Sequence, residues 1–130
     1  MTPNLKVIVI VFFIISPKVD FGKGVFMSVN IITKENFNED VKNNEKTVLI
    51  DFYADWCGPC RMLSPFVEEI ADEYPEIFVG KINVDNEPEL ASAFDVSSIP
   101  MLVVVKNGKI VSQSVGFRSK EQILSMLEAE

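Results

Sequence analysis

The 130-residue chain has no histidine, only two cysteines, one tryptophan, and 12 basic against 19 acidic residues. Each shortage excludes something. Without histidine there is no Ser/Cys-His hydrolytic machinery, and two cysteines alone cannot supply the four Cys/His ligands of a structural zinc site. A bridge between Cys57 and Cys60 closes too short a loop to staple a fold. A deficit of Lys and Arg argues against nucleic-acid binding, which needs basic side chains to displace phosphate counterions. The net charge of −7 favours solubility but names no partner. What remains for the cysteines is redox chemistry, or incidental burial.

The apolar fraction, 48%, is ordinary for a globular protein and suffices for one domain with one core. Residues 1–26 differ from the rest. Three Lys and one Asp give them +2, which leaves −9 for residues 27–130. They contain one unbroken apolar run, Val7 to Ile15, too short for a bilayer span of roughly 17–25 residues. With Lys6 before it, the run suits the apolar region of a signal peptide, yet Ser16-Pro17-Lys18 offers no small-residue cleavage site. Three readings of residues 1–26 stand: a start assigned upstream of Met27, a signal or membrane anchor (residues 5–16), and genuine extra structure. Lys23-Gly24-Val25 can be encoded by a ribosome-binding sequence just ahead of Met27, which favours the first. The expected division is therefore an N-terminal extension, 1–26, and a domain, 27–130.

Beyond Met27, strand and helix patterns alternate. Val29–Ile32 is a short β run, and Thr33 is a fitting N-cap for a helix to about Asn43. Thr47–Tyr53 is almost wholly apolar and β-branched, as in a strand buried on both faces. A helix from about Pro59 to Glu73 follows, with Pro65 inside it expected to kink it. Ile77–Val84 is a third strand and Pro88–Phe94 a short helix. Met101–Lys106 and Lys109–Val115 flank Asn107-Gly108, a two-residue hairpin signal. Ser119 to Gln122 forms a capping box opening a last, moderately amphipathic helix. The order predicts parallel strands joined by helices, then an antiparallel hairpin: an α/β mixed sheet with helices on both faces.

The chemistry sits in Trp56-Cys57-Gly58-Pro59-Cys60. A cysteine between a buried strand and a helix meets unpaired backbone N–H groups and the positive end of the helix dipole. Such places lower a thiol's pKa from about 8.5 into the range of roughly 3.5–7.5. Cys57 is then the nucleophile, and Cys60, one turn on, resolves the mixed disulfide. Gly58 and Pro59 keep the turn tight. A lone cysteine would favour plain burial, but a pair at this spacing after a strand favours redox use.

Val48 to Met62 resembles the active-site stretch of the thioredoxin family. Pro65, Lys81-Ile82-Asn83-Val84-Asp85, Ile99-Pro100, Lys106-Asn107-Gly108 and Val115-Gly116 fall where that pattern has counterparts, so the resemblance covers about residues 29–128. It implies a thioredoxin fold, a central mixed five-stranded sheet flanked by four helices. It implies a protein-disulfide reductase without bound cofactor, recharged by NADPH through thioredoxin reductase, monomeric and cytoplasmic, and touching a membrane only if residues 1–26 are an anchor. Its substrates would be disulfides of the ribonucleotide reductase, peroxiredoxin and methionine sulfoxide reductase type. The Gly-Pro pair resembles the reducing members.

By the same resemblance Asp51 is the proton acceptor for Cys60, although an outward-facing strand residue is the alternative; an unpaired buried charge is costly. Lys81 tunes Asp51 or is merely a solvated strand residue. Trp56, Gly58, Pro59, Ile99, Pro100 and Gly116 are expected to bind substrate, with Ile99 before a cis Pro100 pairing with it as an added strand. Met101 and Tyr53 depart from the residues usual at their places, Thr and Trp, and are expected to bear on partner choice. An exported or tethered oxidoreductase and a non-catalytic binding subunit remain the competing functions.

Overall fold

The computed structural model describes residues 28–130; the expectations for residues 1–26 and the boundary at Met27 lie outside them. Nine elements follow in order: β1 (Val29–Ile31), α1 (Asn38–Lys42), β2 (Thr47–Tyr53), α2 (Gly58–Glu73), β3 (Ile77–Asn83), α3 (Pro88–Ala93), β4 (Met101–Lys106), β5 (Lys109–Val115) and α4 (Lys120–Leu127). The strands form one sheet in the order β1-β3-β2-β4-β5. β1, β3 and β2 run parallel, while β4 is antiparallel to both β2 and β5. The expected mixed five-stranded sheet is therefore present.

The two-residue period of a strand divides the core. From β2, Val48, Ile50 and Phe52 point to one face with Val103 and Val105 of β4, under Val41 of α1 and Leu90 of α3. Leu49 points to the other with Leu102 and Val104, under Leu63, Val67 and Ile70 of α2 and Ile123 of α4. Both faces of β2 are thus dry, which explains its nearly continuous apolar sequence. By the same alternation Asp51 and Tyr53 fall on the face of Leu49.

The ends of the elements follow their local chemistry. The β4–β5 turn puts Asn107 and Gly108 at φ of 53° and 77°, the left-handed pair of a two-residue hairpin. Ser119 caps α4 by accepting from the Gln122 N–H, and Gln122 accepts from the Ser119 N–H in return. Helix α2 runs on through Pro65, which has no N–H to offer the Arg61 carbonyl.

One expected helix is corrected. Thr33 is no N-cap, and the segment to Asn43 is not a regular helix: only Asn38–Lys42 is helical, with π geometry. The Asn36 side chain accepts from the Thr33 N–H and donates to the Ile31 carbonyl, a local turn that competes with helix. The short segment closes with the Asn43 N–H on the Asn38 carbonyl.

Gly80 sits mid-β3 between Asn30 and Ile50. A Cβ there would run into the Ile32 side chain, which is fully buried. Gly80→Ala should therefore cost about 1–3 kcal/mol through overpacking, more than the roughly 0.5–1 kcal/mol gained by removing a strand glycine. Denaturant unfolding of both proteins measures the difference; unchanged stability would show that Ile32 can yield.

Candidate active site at the start of helix α2

Strand β2 leads directly into the cysteine motif. The chain turns at Ala54, whose carbonyl accepts from the Cys57 N–H at 3.2 Å. Cys57 is the N-cap of α2, extended at φ −94° and ψ 113°, and its Sγ accepts from the Cys60 N–H at 3.2 Å. Sulfur thus takes the place of the usual capping oxygen. Pro59 lies in the first turn, which contains no acidic residue to oppose negative charge on that sulfur. Cys57 and Cys60 are joined as a disulfide, with Cα atoms 5.3 Å apart.

Around them stand the other expected site residues. Both cysteines are buried beside Ala54, Tyr53 and Ile99. The Ile99 carbonyl oxygen lies 3.9 Å from Cys57 Sγ, and the Ile99–Pro100 bond is cis. Gly116, at φ +97°, donates its N–H to the Pro100 carbonyl at 2.8 Å. Gly58 and Pro59 are exposed, and Trp56 is 68% exposed with Nε1–H on Asp85 Oδ2 at 2.8 Å. Trp56, Gly58 and Pro59 thus flank the cysteines along the chain, and Ile99 meets Cys57 across the site, with Pro100 and Gly116 linked to each other next to Ile99. Met101 is buried in the core on the α1–α3 face.

Asp51 is wholly buried, which removes the outward-facing reading. It lies on the sheet face covered by α2, in register with Lys81 of β3 on one side and Leu102 of β4 on the other. Neither of its oxygens has a hydrogen-bond partner among the described residues. Burial pushes its carboxyl up from 3.8 to about 6, against a smaller downward pull from Lys81. The Lys81 ammonium donates to Ser64 Oγ at 3.1 Å and lies 4.5 Å from the centroid of the Tyr53 ring. A cleft of ≈ 180 Å³ is lined by Tyr53, Asp55, Cys60, Arg61, Ser64 and Lys81, and Asp51 is not among its lining residues. No cluster of three or more His, Cys, Asp or Glu suited to a metal ion occurs among the described residues.

Comparison with known proteins agrees with this geometry. The Thioredoxin family model matches residues 28–129. The chain belongs to the thioredoxin family. It is 43% identical over 99 residues to a thioredoxin of Chlamydia pneumoniae, covering 76% of this chain and 95% of that protein. It is 46% identical over 102 residues to one of Pyropia yezoensis, covering 78% and 95%. Among solved structures, a single-residue mutant of a thioredoxin from Halobacterium salinarum superposes with a TM-score of 0.71 at 38% identity, covering 77% of this chain and 88% of that one. The architecture is the thioredoxin fold, and the protein is a thiol–disulfide oxidoreductase that reduces protein disulfides.

Two residues beside this thioredoxin-family site were given no role in the reading of the sequence. Asp85 holds the Trp56 indole from 29 residues away, a contact without local signature. Ser64 did carry a signal: it is a hydroxyl inside a helix one turn beyond Cys60.

The raised pKa of Asp51 has a calculable consequence. Below about pH 3.8 the carboxyl is neutral in both folded and unfolded chains and carries no penalty relative to an amide. Between 3.8 and about 6 the unfolded chain ionises while the folded one resists, so stability is lost as pH rises; above that the loss is constant. Asp51→Asn should therefore gain on wild type as pH climbs, by on the order of 3 kcal/mol at full ionisation. Denaturant midpoints of the two oxidised proteins at pH 4 and pH 8 measure it. An unchanged difference between the two would mean that the carboxyl is solvated.

Proposed function

We propose that the chain is a general cytoplasmic disulfide reductase working as a monomer through residues 27–130, with Cys57 as nucleophile and Cys60 as resolving thiol. The observation that carries this reading is the sulfur cap: Cys57 Sγ accepts the Cys60 N–H at the start of α2, so a thiolate there is hydrogen-bonded and favoured by the helix dipole.

In the reduced enzyme the Cys57 thiolate attacks one sulfur of a substrate disulfide. A mixed disulfide forms and the other substrate sulfur leaves as thiolate. Cys60 then loses its proton to the Asp51 carboxylate and attacks Cys57 Sγ, expelling the second substrate thiolate. Two electrons pass to the substrate, and the Cys57–Cys60 disulfide remains. A carboxyl with a pKa of about 6 suits proton transfer near neutral pH. Lys81, in register with Asp51, tunes it.

The exposed Trp56, Gly58 and Pro59 form one wall of the substrate site. The Ile99–Pro100 backbone and Gly116 form the other, where an extended substrate segment pairs as an added strand. NADPH recharges the disulfide through thioredoxin reductase, and the substrates are enzymes of the ribonucleotide reductase, peroxiredoxin and methionine sulfoxide reductase type. The family membership and the contact of Ile99 with Cys57 support this assignment.

Insulin reduction with dithiothreitol tests the division of roles. Cys57→Ser should abolish catalysis, whereas Cys60→Ser should accumulate mixed disulfides, since attack survives and resolution is lost. The wild-type reaction should proceed equally fast in a chain beginning at Met27. Trapping by Cys57→Ser instead of Cys60→Ser would reverse the roles.

A further inference from the structure

Lys81 and Asp51 are paired in register across β3 and β2, neighbours from which a direct ion pair would be expected. None forms. Both Asp51 oxygens lack a hydrogen-bond partner, and the three ion pairs among the described residues join other side chains. The ammonium goes instead to Ser64 Oγ, over the face of Tyr53. Ser64 Oγ also lies 3.3 Å from Glu68 Oε2, one turn further along α2. A hydroxyl has a single proton. Ser64 therefore donates to Glu68 and accepts from Lys81, and the carboxylate at the outer end strengthens the acceptor at the inner one.

We propose that Ser64, with Tyr53, is a positioning residue that holds the Lys81 ammonium off Asp51 and so keeps the carboxyl able to take the Cys60 proton. The physical reason is the distance dependence of charge pairing. An ammonium brought into contact with a buried carboxylate lowers its pKa by roughly 1–3 pH units and leaves it a poor base. Held one side chain away, the same ammonium only moderates the effect of burial. The groups facing Lys81 are Asp51 and Tyr53 of β2, Asp55 beyond it, and Cys60, Arg61 and Glu68 of α2; β1 contributes no titratable side chain. Arg61 is itself turned to the Asp55 carbonyl. Released from Ser64, the ammonium has the buried Asp51 carboxylate, in register with it and without a hydrogen-bond partner among the described residues, as an acceptor.

The inference rests on the proposed role of Asp51 only for the rate, so two readouts separate the claims. The first is the titration of the Asp51 carboxyl in the oxidised protein, followed by carbon NMR. Ser64→Ala should move its midpoint down by on the order of 1 pH unit. Ser64→Thr, which keeps the hydroxyl, should hold the wild-type midpoint, and Ser64→Ala should have no effect in a Lys81→Met background. An unchanged or raised midpoint in Ser64→Ala overturns the proposal, as does a shift that persists without Lys81. The second readout is the pH profile of mixed-disulfide resolution by Cys60, which should move with the carboxyl. If the titration moves and that profile does not, the positioning stands and the assignment of Asp51 as proton acceptor fails.

Discussion

Everything at the reactive end of this molecule depends on one hydrogen bond, from the Cys60 N–H to Cys57 Sγ. A helix begins with backbone N–H groups that have no intrahelical acceptor, and here a sulfur meets that need. The same bond that closes the helix start also prepares the sulfur to carry negative charge. Its geometry is rigid because β2, which delivers the motif, is packed on both faces and hydrogen-bonded on both edges. The fold therefore supplies a fixed anion site at the end of a strand that cannot shift.

The second constraint is a conflict of interest within β2. Alternation places Asp51 beneath α2 between Leu49 and Tyr53, and no partner among the described residues satisfies its oxygens. An apolar residue would be more stable there at neutral pH. On the proposed role of Asp51, the acid is kept at a cost to stability because proton transfer needs an ill-solvated base. As proposed, its neighbours Lys81, Ser64 and Tyr53 set how basic it is through charge placement rather than by bonding to it.

How much of this was legible in the sequence follows from the range of each interaction. The hairpin at Asn107-Gly108, the capping box at Ser119 and the cysteine motif are local, and each is written in a few adjacent residues. The π-turn at Asn38–Lys42 was hidden because the Asn36 side chain, bonded to Ile31 and Thr33, outcompetes the helix expected to start at Thr33. Burial of Asp51 was not decidable from periodicity, since β2 is apolar on both faces and alternation gives no outward side. The Ser64–Lys81 and Trp56–Asp85 contacts join separate elements and left at most a weak trace in the chain.

The most direct test of the account is the order and pH dependence of thiol alkylation in the reduced protein. With limiting iodoacetamide across a pH series, followed by peptide mapping, Cys57 should be modified first. Its reactivity should rise at lower pH than that of a free cysteine thiol, because the thiolate is held at the helix start. Preferential modification of Cys60, or a Cys57 profile matching or lying above that of a free thiol, would contradict it.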